Sequence, residues 1–273
     1  MNVEKREYWN GKTVIVTGAS GGLGLSIAEA FVKAGANVVL AARSAGPLEA
    51  AVAKLAALGQ GAVLGVPTDV LRDDDVENLV ARSIERFGRI DALVNNAGLS
   101  MRKAVLETTV EECREMMELN FLALVRCTRA TAPQLLANRG HLVNIGSLSG
   151  KSASRWLGGY PASKSAVTAY SQQLRLELEP QGLHVLLVCP GPIARDDDRV
   201  RSPEELAKLP PEARKPGGGV KTSRIRPEML AAKIVTACES RRRELIVPWY
   251  VRIIFTLMQT SPTVADWLVR KLT

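Results

Sequence analysis

Short apolar runs alternate along the chain with longer amphipathic stretches. The short runs are rich in β-branched residues and apolar almost throughout, as is typical of strands that are covered on both faces. They predict strands over 12–18, 37–43, 61–70, 89–98, 141–147 and 183–192. Apolar residues at helical spacing predict helices over 22–36, 46–59, 73–88, 108–131 and 160–180. Strands joined by helices of this length predict a parallel sheet with right-handed crossovers.

The alternation is interrupted once, in the segment 195–226. Four prolines and the glycine triplet 217–219 lie in it, and a loop of this length in a compact domain is typical of a mobile lid or of a disordered segment. A helix over 227–240, a strand over 244–247 and two short helices that are split near Pro262 are predicted to follow. We therefore predict one α/β domain over 1–273, with a doubly wound parallel sheet of about seven strands, helices on both faces, a core over about 10–247 and a helical tail over about 248–273.

Composition agrees with this picture. A chain of 273 residues that is 46% apolar can bury the core of one large domain. The four cysteines have neither close pairing nor metal-site spacing, so we predict buried thiols in a reducing compartment and no metal site. The charged N-terminus does not resemble a signal peptide, and no apolar run reaches the roughly 18 residues of a spanning helix. These features predict a cytoplasmic protein.

Charge is distributed unevenly. The net charge is +8, of which residues 220–273 contribute +6, from ten Lys and Arg against four Asp and Glu. This excess favours an anionic substrate, an anionic membrane surface or simply solubility. No nucleic-acid-binding module is recognisable, so no nucleic-acid partner is predicted.

The glycine-rich stretch TGASGGLG, residues 17–24, lies between the first strand and the first helix. Gly18, Gly22 and Gly24 permit a tight turn and close approach of the backbone to a ligand, and the helix N-terminus beyond them offers free N–H groups to a pyrophosphate. The alternative is a turn that binds nothing. The strand–turn–helix context favours a dinucleotide.

The end of the second strand bears on which dinucleotide binds. A carboxylate there would hydrogen-bond the adenosine ribose and repel a 2′-phosphate. The chain instead has Arg43, which can bind a phosphate with two hydrogen bonds, and Ser44, which adds a hydroxyl. This predicts a preference for NADP(H), with NAD(H) as the alternative, unless Arg43 is only an exposed residue ahead of a helix.

Tyr160 and Lys164 are four residues apart and share one side of the predicted helix. Pro161 suits a first helical turn, so Tyr160 lies at the N-terminal end, where the helix dipole and the Lys164 ammonium favour the phenolate. Ser147 ends the fifth strand, at the edge where ligands of open α/β sheets bind. The alternative, an ordinary helix start, explains the tyrosine and lysine but not the serine and the glycine turn.

Taken together, these motifs resemble the short-chain dehydrogenase/reductase family, in its branch of short single-domain subunits with a Rossmann-type fold. The matching elements are the glycine turn, Asp69 after the third strand, NNAG at 95–98, Asn120, the Ser147–Tyr160–Lys164 set and PG at 190–191. The resemblance covers about residues 10–193 and is weaker up to residue 247.

The resemblance implies a role for each matching residue. Tyr160 is implied to be the general acid and base, Lys164 to lower its pKa and hold the nicotinamide ribose, Ser147 to orient the substrate oxygen, and Asn120 to hold a water of the proton relay. The implied cofactor-binding residues are Gly18, Ser20, Gly22, Leu23, Gly24, Arg43, Ser44, Asp69, Val70, Asn96, Ala97, Gly98, Tyr160, Lys164, Pro190, Gly191 and Ile193. Arg195 stands where the family usually has a threonine, and Gly21 stands where NADP-preferring relatives often have a basic residue.

We therefore predict an oxidoreductase that interconverts a secondary alcohol and a ketone or aldehyde. Trp156 and Leu157, just before Tyr160, offer an apolar wall and favour an apolar or lipid-like substrate. The apolar tail resembles that of family members that reduce steroids, retinoids or long-chain lipids, so the resemblance implies a substrate such as a steroid, a retinoid or a long-chain ketone. A 3-ketoacyl thioester reductase and a catalytically weak cofactor-binding scaffold are the alternatives. The resemblance implies a homodimer or homotetramer that forms through the helices 108–131 and 160–180. The tail is expected to pack on the protein, with peripheral membrane contact as the alternative.

Overall fold

The computed structural model describes residues 8–194, 214, 224–258 and 261–272. Seven parallel strands form one sheet in the order β3-β2-β1-β4-β5-β6-β7. The strands are β1 (Thr13–Thr17), β2 (Asn37–Ala42), β3 (Val63–Pro67), β4 (Ala92–Asn95), β5 (His141–Ile145), β6 (His184–Pro190) and β7 (Glu244–Val247). The predicted Rossmann-type α/β fold is therefore confirmed.

Helices follow the strands along the chain. They are α1 (Gly22–Lys33), α2 (Ala45–Ala56), α3 (Asp73–Phe87), α4 (Val110–Met117), α5 (Ala123–Ala137), α6 (Tyr160–Leu178), α7 (Pro227–Glu239), α8 (Val251–Met258) and α9 (Pro262–Leu272). One π-helical turn, Glu118–Leu122, joins α4 to α5 without interrupting the helical path.

The sheet buries both of its faces, which explains why its strands are apolar throughout. In β1, Val14 and Val16 belong to the core that α1, α2 and α7 cover. Ile15, between them, belongs to the core on the opposite face, under α3, α5 and α6. Neighbouring residues of a strand point to opposite faces, so a strand in the middle of the molecule needs an apolar residue at every position.

The switch point of the sheet lies between β1 and β4. The chain winds outward from β1 through β2 to β3, then crosses back and winds the other way from β4 to β7. Ligands of doubly wound sheets bind at the carboxyl edge near such a point. The glycine turn after β1 and the NNAG segment at the end of β4 both lie at this edge.

The predicted helix over 108–131 has the wrong boundaries. Thr109 caps α4, in a capping box in which its side chain and that of Glu112 bond each other's backbone N–H groups. The helical path then continues to Ala137, past Pro133. Proline removes one helical hydrogen bond, but Leu135 beyond it is fully buried, and burying a leucine stabilises the helix by about 1.5–3 kcal/mol.

The remaining elements agree with the sequence within a few residues. The helix after the loop, the strand over 244–247 and the two tail helices separated near Pro262 are present. Most of the predicted lid, including Arg195, lies outside the described residues. Cys127, Cys189 and Cys238 are buried free thiols, and Cys113 is partly exposed. No helix in the described part of the chain has the length and apolar character needed to cross a bilayer.

Candidate active site

The glycine turn after β1 has no room for side chains at two of its positions. Gly18 has a left-handed backbone with φ of 64°, and a Cβ there would lie 3.1 Å from the Ala97 Cα. A Cβ on Gly24 would overlap the Gly18 carbonyl, whereas the space around Gly21 and Gly22 is open. No side chain caps the start of α1. The turn and its free N–H groups therefore fit the pyrophosphate of a dinucleotide.

Asn96 braces this turn from the neighbouring strand. Its side-chain Nδ2 donates to the backbone oxygens of Thr17, at 2.9 Å, and Gly18, at 3.3 Å. In return, the Thr17 hydroxyl accepts from the backbone N–H groups of Asn96 and Ala97, each at 3.0 Å. The resemblance places Asn96 beside the adenosine ribose. The structure shows its side chain engaged with the turn that would hold the pyrophosphate.

Arg43 and Ser44 follow β2 at the same edge, and both are exposed. Ser44 precedes α2 and makes no capping hydrogen bond through its side chain. Within the described residues, Arg43 has no ion pair. A guanidinium that is exposed and uncommitted to a carboxylate is available to an anionic ligand.

Asp69 and Val70 follow β3. An Asp69 carboxylate oxygen accepts from the Leu71 N–H at 3.0 Å, and the Asp69 N–H donates to Asp75 at 2.8 Å. Val70 is buried, and its carbonyl accepts from Arg126 at 3.1 Å. The Asp69 carboxylate and backbone N–H are thus partly engaged in the turn that leads into α3.

Lys164 is buried and fixed in place. Its Nζ donates to the Ile145 carbonyl at the end of β5, at 2.8 Å. A Cβ on Gly98 would lie 3.6 Å from the same Nζ and 2.7 Å from the Asn120 Oδ1. The structure therefore brings Lys164, Asn120 and the end of the NNAG segment together. Burial lowers the pKa of Lys164 to about 8, opposed only weakly by the nearby Cys189.

Tyr160 begins α6, with Pro161 in the first turn as predicted. It is partly exposed and lies one turn before Lys164, on the same side of the helix. Ser147 follows β5 two residues after Ile145 and is 8% exposed. Its hydroxyl accepts from the Ser149 N–H at 3.1 Å. The hydroxyl proton is not used in that bond and can be donated to a substrate oxygen.

Asn120 lies in the π-helical turn between α4 and α5 and is buried. Its side chain accepts from the Leu99 N–H at 2.9 Å and donates to the Leu99 carbonyl at 3.0 Å. It also donates to the Ser163 hydroxyl at 3.0 Å, which donates onward to the Tyr160 carbonyl at 2.8 Å. Single π turns often mark functional sites, and this one joins the loop after β4 to the start of α6.

Pro190, Gly191 and Ile193 lie at the end of β6. The Gly191 N–H donates to the Val247 carbonyl at 2.8 Å, and Ile193 pairs with Ile225 in an isolated parallel bridge. Ser20 and Leu23 lie in the glycine turn and the first turn of α1, and both are partly exposed. Most of the predicted site residues therefore lie near the ends of strands at the carboxyl edge of the sheet, and Asn120 and Lys164 bond to Leu99 and Ile145 at that edge.

The loop before Tyr160 is tied to the segment after β4. The Lys103 N–H donates to the Trp156 carbonyl at 3.0 Å, and the Gly158 N–H donates to the Lys103 carbonyl at 3.1 Å. Trp156 has a left-handed backbone with φ of 63°, which is unusual for a bulky residue and is found mostly where the surroundings enforce it. We predicted that Trp156 and Leu157 form an apolar wall. Trp156 is partly exposed, whereas Leu157 is buried.

Sequence reasoning missed three supporting groups: the Thr17 hydroxyl, the Ser163 hydroxyl and the Ile145 carbonyl. Ser163 lies between Tyr160 and Lys164, and Thr17 lies directly before the first glycine of the turn, so their closeness to the motifs could have pointed to both residues. The Ile145 carbonyl has no sequence signal, because any residue supplies one.

Comparison with known proteins agrees with this geometry. A family model described as short chain dehydrogenase matches residues 12–205. 11-beta-hydroxysteroid dehydrogenase A of Sesamum indicum is 32% identical over 262 residues, covering 95% of this chain and 75% of that protein. Ketoacyl reductase HetN of Nostoc sp. is 31% identical over 267 residues, covering 95% of this chain and 88% of that protein.

Two solved structures are similar throughout. A short chain dehydrogenase/reductase from Burkholderia phymatum in complex with NAD has a TM-score of 0.81 and 26% identity, covering 92% of this chain and 94% of that chain. L-sorbose reductase from Gluconobacter frateurii, complexed with NADPH and L-sorbose, has a TM-score of 0.74 and 27% identity, covering 87% and 95%. The chain belongs to the short-chain dehydrogenase/reductase family and is a nicotinamide-dependent oxidoreductase that acts on CH–OH groups.

Proposed function

We propose that the protein is an NADP(H)-dependent oxidoreductase that interconverts a secondary alcohol and a ketone or aldehyde, with an apolar or lipid-like substrate. The observation that carries the chemistry is the fixed position of Lys164. Its Nζ is anchored to Ile145 at the end of β5, one helical turn after Tyr160 and beside Gly98. The Lys164 ammonium is therefore placed to stabilise the phenolate form of Tyr160, which lies on the same helix.

Each residue has a defined task in this scheme. A nicotinamide cofactor, when bound in the glycine turn, supplies or accepts the hydride. Tyr160 gives a proton to the carbonyl oxygen through its hydroxyl, or takes one from the alcohol in the reverse direction. The Lys164 ammonium stabilises the phenolate electrostatically and so lowers the pKa of Tyr160. Ser147 donates a hydrogen bond to the same substrate oxygen, and Asn120 keeps the loop after β4 against the start of α6.

The preference for NADP(H) is supported by Arg43. It follows β2 without an acidic neighbour in the sequence VLAARSAG around it, and its side chain is exposed. A guanidinium there attracts a 2′-phosphate and offers it two hydrogen bonds. NAD(H) is the alternative, since one of the two solved structures named above holds NAD and the other holds NADPH.

The apolar substrate is supported by the surroundings of the site. Leu99, directly after NNAG, is 43% exposed, and the strained Trp156 lies on the loop that enters α6. The two relatives are named for a hydroxysteroid and a ketoacyl substrate. A 3-ketoacyl thioester reductase is thus the second candidate. A catalytically weak scaffold is disfavoured, because burying the charged Lys164 side chain costs stability, and a protein without proton transfer at Tyr160 does not need that charge.

Cofactor titration tests the first part of the proposal. NADPH is expected to bind at least about tenfold more tightly than NADH, and Arg43→Ala to remove that difference by weakening NADPH binding alone. Arg86→Ala is the matched control, because Arg86 is also exposed but lies at the far end of α3. Tighter binding of NADH to the wild type would contradict the proposal. An NADPH-oxidation screen over ketosteroids, retinaldehydes, 3-ketoacyl thioesters and long-chain ketones tests the substrate class.

We also propose a homodimer or homotetramer that forms through α4, α5 and α6. Val110, Leu122 and Leu176 are exposed apolar residues along these elements, and exposed apolar patches of this kind favour association. Light scattering coupled to gel filtration measures the mass directly, and a monomer at micromolar concentration would contradict this part.

A further inference from the structure

The end of the chain carries large apolar side chains that are exposed in large part. After β7, six such residues are between 41% and 73% exposed. They are Trp249, Tyr250, Ile253, Leu257, Val264 and Trp267, and we refer to them as the tail surface. Groups of exposed apolar side chains on a protein surface mark contact sites, so the tail surface is a candidate for one.

The tail surface follows the helical repeat. Trp249, Ile253 and Leu257 are spaced by four residues along the turn that leads into α8 and α8 itself, so they line up on one side of it. In α9, Val264 and Trp267 are three residues apart, and Arg270 follows Trp267 by another three, so an arginine borders the apolar side of this helix. Both helices are therefore amphipathic. With eight and eleven residues, they are suited to lying along an interface.

Charge and residue type favour a lipid surface as the occupant. Residues 220–273 carry six of the net eight positive charges, and Arg252 and Arg270 are exposed next to the tail surface. Anionic lipids attract such residues, and tryptophan and tyrosine concentrate at the headgroup level of membranes. A second copy of this chain would bring the same positive excess to the interface, which disfavours that occupant.

The tail surface begins beside the active site. The Gly191 N–H, at the end of β6, donates to the Val247 carbonyl at 2.8 Å, and Trp249 follows Val247 by two residues. A Cβ on Gly191 would also lie 3.4 Å from Leu148, the neighbour of Ser147. The exposed aromatic residues thus leave the sheet at the edge that carries the catalytic residues. A lipid surface bound there would lie next to the site.

We propose that the tail surface docks on anionic phospholipid bilayers and that the enzyme takes its ketone or alcohol substrate from the bilayer. The docking part stands independently of the reaction. The second part rests on the proposed function, because it requires that Tyr160 and its neighbours reduce or oxidise an apolar substrate.

Vesicle flotation of the full chain, without cofactor, tests the docking. Wild-type protein is expected to float with vesicles of phosphatidylcholine mixed with phosphatidylserine, and less with phosphatidylcholine alone. Trp249→Ser/Ile253→Ser is expected to weaken binding to both by about tenfold or more, and Arg252→Gln to weaken binding to the anionic vesicles only. Leu106→Ser, which removes a leucine that is 97% exposed outside both the tail surface and the proposed oligomer interface, is the matched control and should bind like the wild type.

Two results would overturn the docking proposal. One is the absence of wild-type protein from floated anionic vesicles. The other is equal flotation of wild type and Trp249→Ser/Ile253→Ser, and a change of that variant's mass by light scattering would then assign the tail surface to a second copy.

Kinetics separate docking from catalysis. With a ketone that partitions into the vesicles, Trp249→Ser/Ile253→Ser is expected to raise the apparent KM by about tenfold at unchanged kcat, while both constants for a water-soluble ketone stay as in the wild type. Equal KM values for the bilayer-dissolved ketone would overturn the delivery of substrate from the bilayer. Loss of turnover with every ketone, in wild type as well, would instead contradict the proposed function and leave the flotation result standing.

Discussion

The Lys164 ammonium nitrogen lies 2.8 Å from the Ile145 carbonyl oxygen, inside the protein at the end of β5. The strand thereby fixes a positive charge one helical turn after Tyr160. Burial disfavours that charge and lowers the pKa of Lys164 from 10.5 to about 8. The residue that is placed to assist the tyrosine is thus close to losing its proton under mildly alkaline conditions.

This pKa predicts a particular dependence of stability on pH. Between about pH 8 and 10.5 the unfolded chain keeps the Lys164 proton while the folded protein releases it, so the unfolded state binds more protons and stability rises with pH. Relative to Lys164→Met, the free energy of unfolding of the wild type should increase by about 3 kcal/mol across this window. Urea unfolding of both proteins at the two ends measures it, and a constant difference would contradict a lowered pKa.

Tyr160→Phe tests the proton transfer. Removing the hydroxyl should lower kcat by about 10²–10⁴-fold, the usual contribution of a positioned general acid or base, with NADPH binding unchanged by fluorescence titration. Tyr170→Phe is the matched control, because Tyr170 lies on the same helix and packs edge-on against Phe121. A Tyr160→Phe enzyme with full turnover would eliminate the tyrosine as the acid.

Gly24→Ala tests the pyrophosphate turn. The added Cβ would overlap the Gly18 carbonyl, so the turn has to shift, and overpacking of this kind costs about 1–3 kcal/mol of stability. We expect a lower melting temperature and a loss of NADPH affinity. Gly21→Ala is the matched control: nothing lies within 4 Å of its Cβ, its φ of −176° is extended backbone, and the change should cost less than about 1 kcal/mol. Equal behaviour of the two variants would refute the packing argument.

The two histidines of the chain predict acid sensitivity. His141 and His184 are buried with their Nδ1 atoms 2.8 Å apart. His184 donates through Nε2 to the Arg242 carbonyl at 2.7 Å, and the Tyr8 hydroxyl lies 2.8 Å from the His141 Nε2. All these bonds are satisfied when both rings are neutral and Tyr8 donates. Burial lowers the pKa of His141 to about 2 and also lowers that of His184.

Below about pH 6.5 the unfolded chain protonates its histidines while folded His141 stays neutral and folded His184 is protonated less readily, so stability falls as the pH falls. From pH 6.5 to about pH 5, we expect His141 to contribute a loss of about 2 kcal/mol, to which His184 adds in the same direction. Urea unfolding at the two pH values measures it. His141→Gln/His184→Gln should be less stable at neutral pH but should lack this part of the slope, and an unchanged slope would show that carboxylates cause it.

Local spacing in the sequence was sufficient to predict the sheet and the edge of it at which the candidate site lies. Alternating apolar runs and helices required a parallel sheet, and in such a sheet the residues after each strand meet at one edge. Gly18, Ser147 and Tyr160 were therefore expected together, and they lie at that edge. Only the boundary of the long helix, which runs past Pro133, was wrong, because local propensity favours a stop where burial of Leu135 favours continuation.

Contacts between distant segments were decided by the tertiary structure alone. His141 and His184 are 43 residues apart, and they meet because the register of β5 and β6 makes them neighbours. The lowered pKa of Lys164 and the Asn96 bonds to the glycine turn likewise depend on what the fold places around each side chain. Exposure of the tail surface is of the same kind, since an amphipathic pattern shows that a helix has an apolar side, and only packing determines whether the protein covers it.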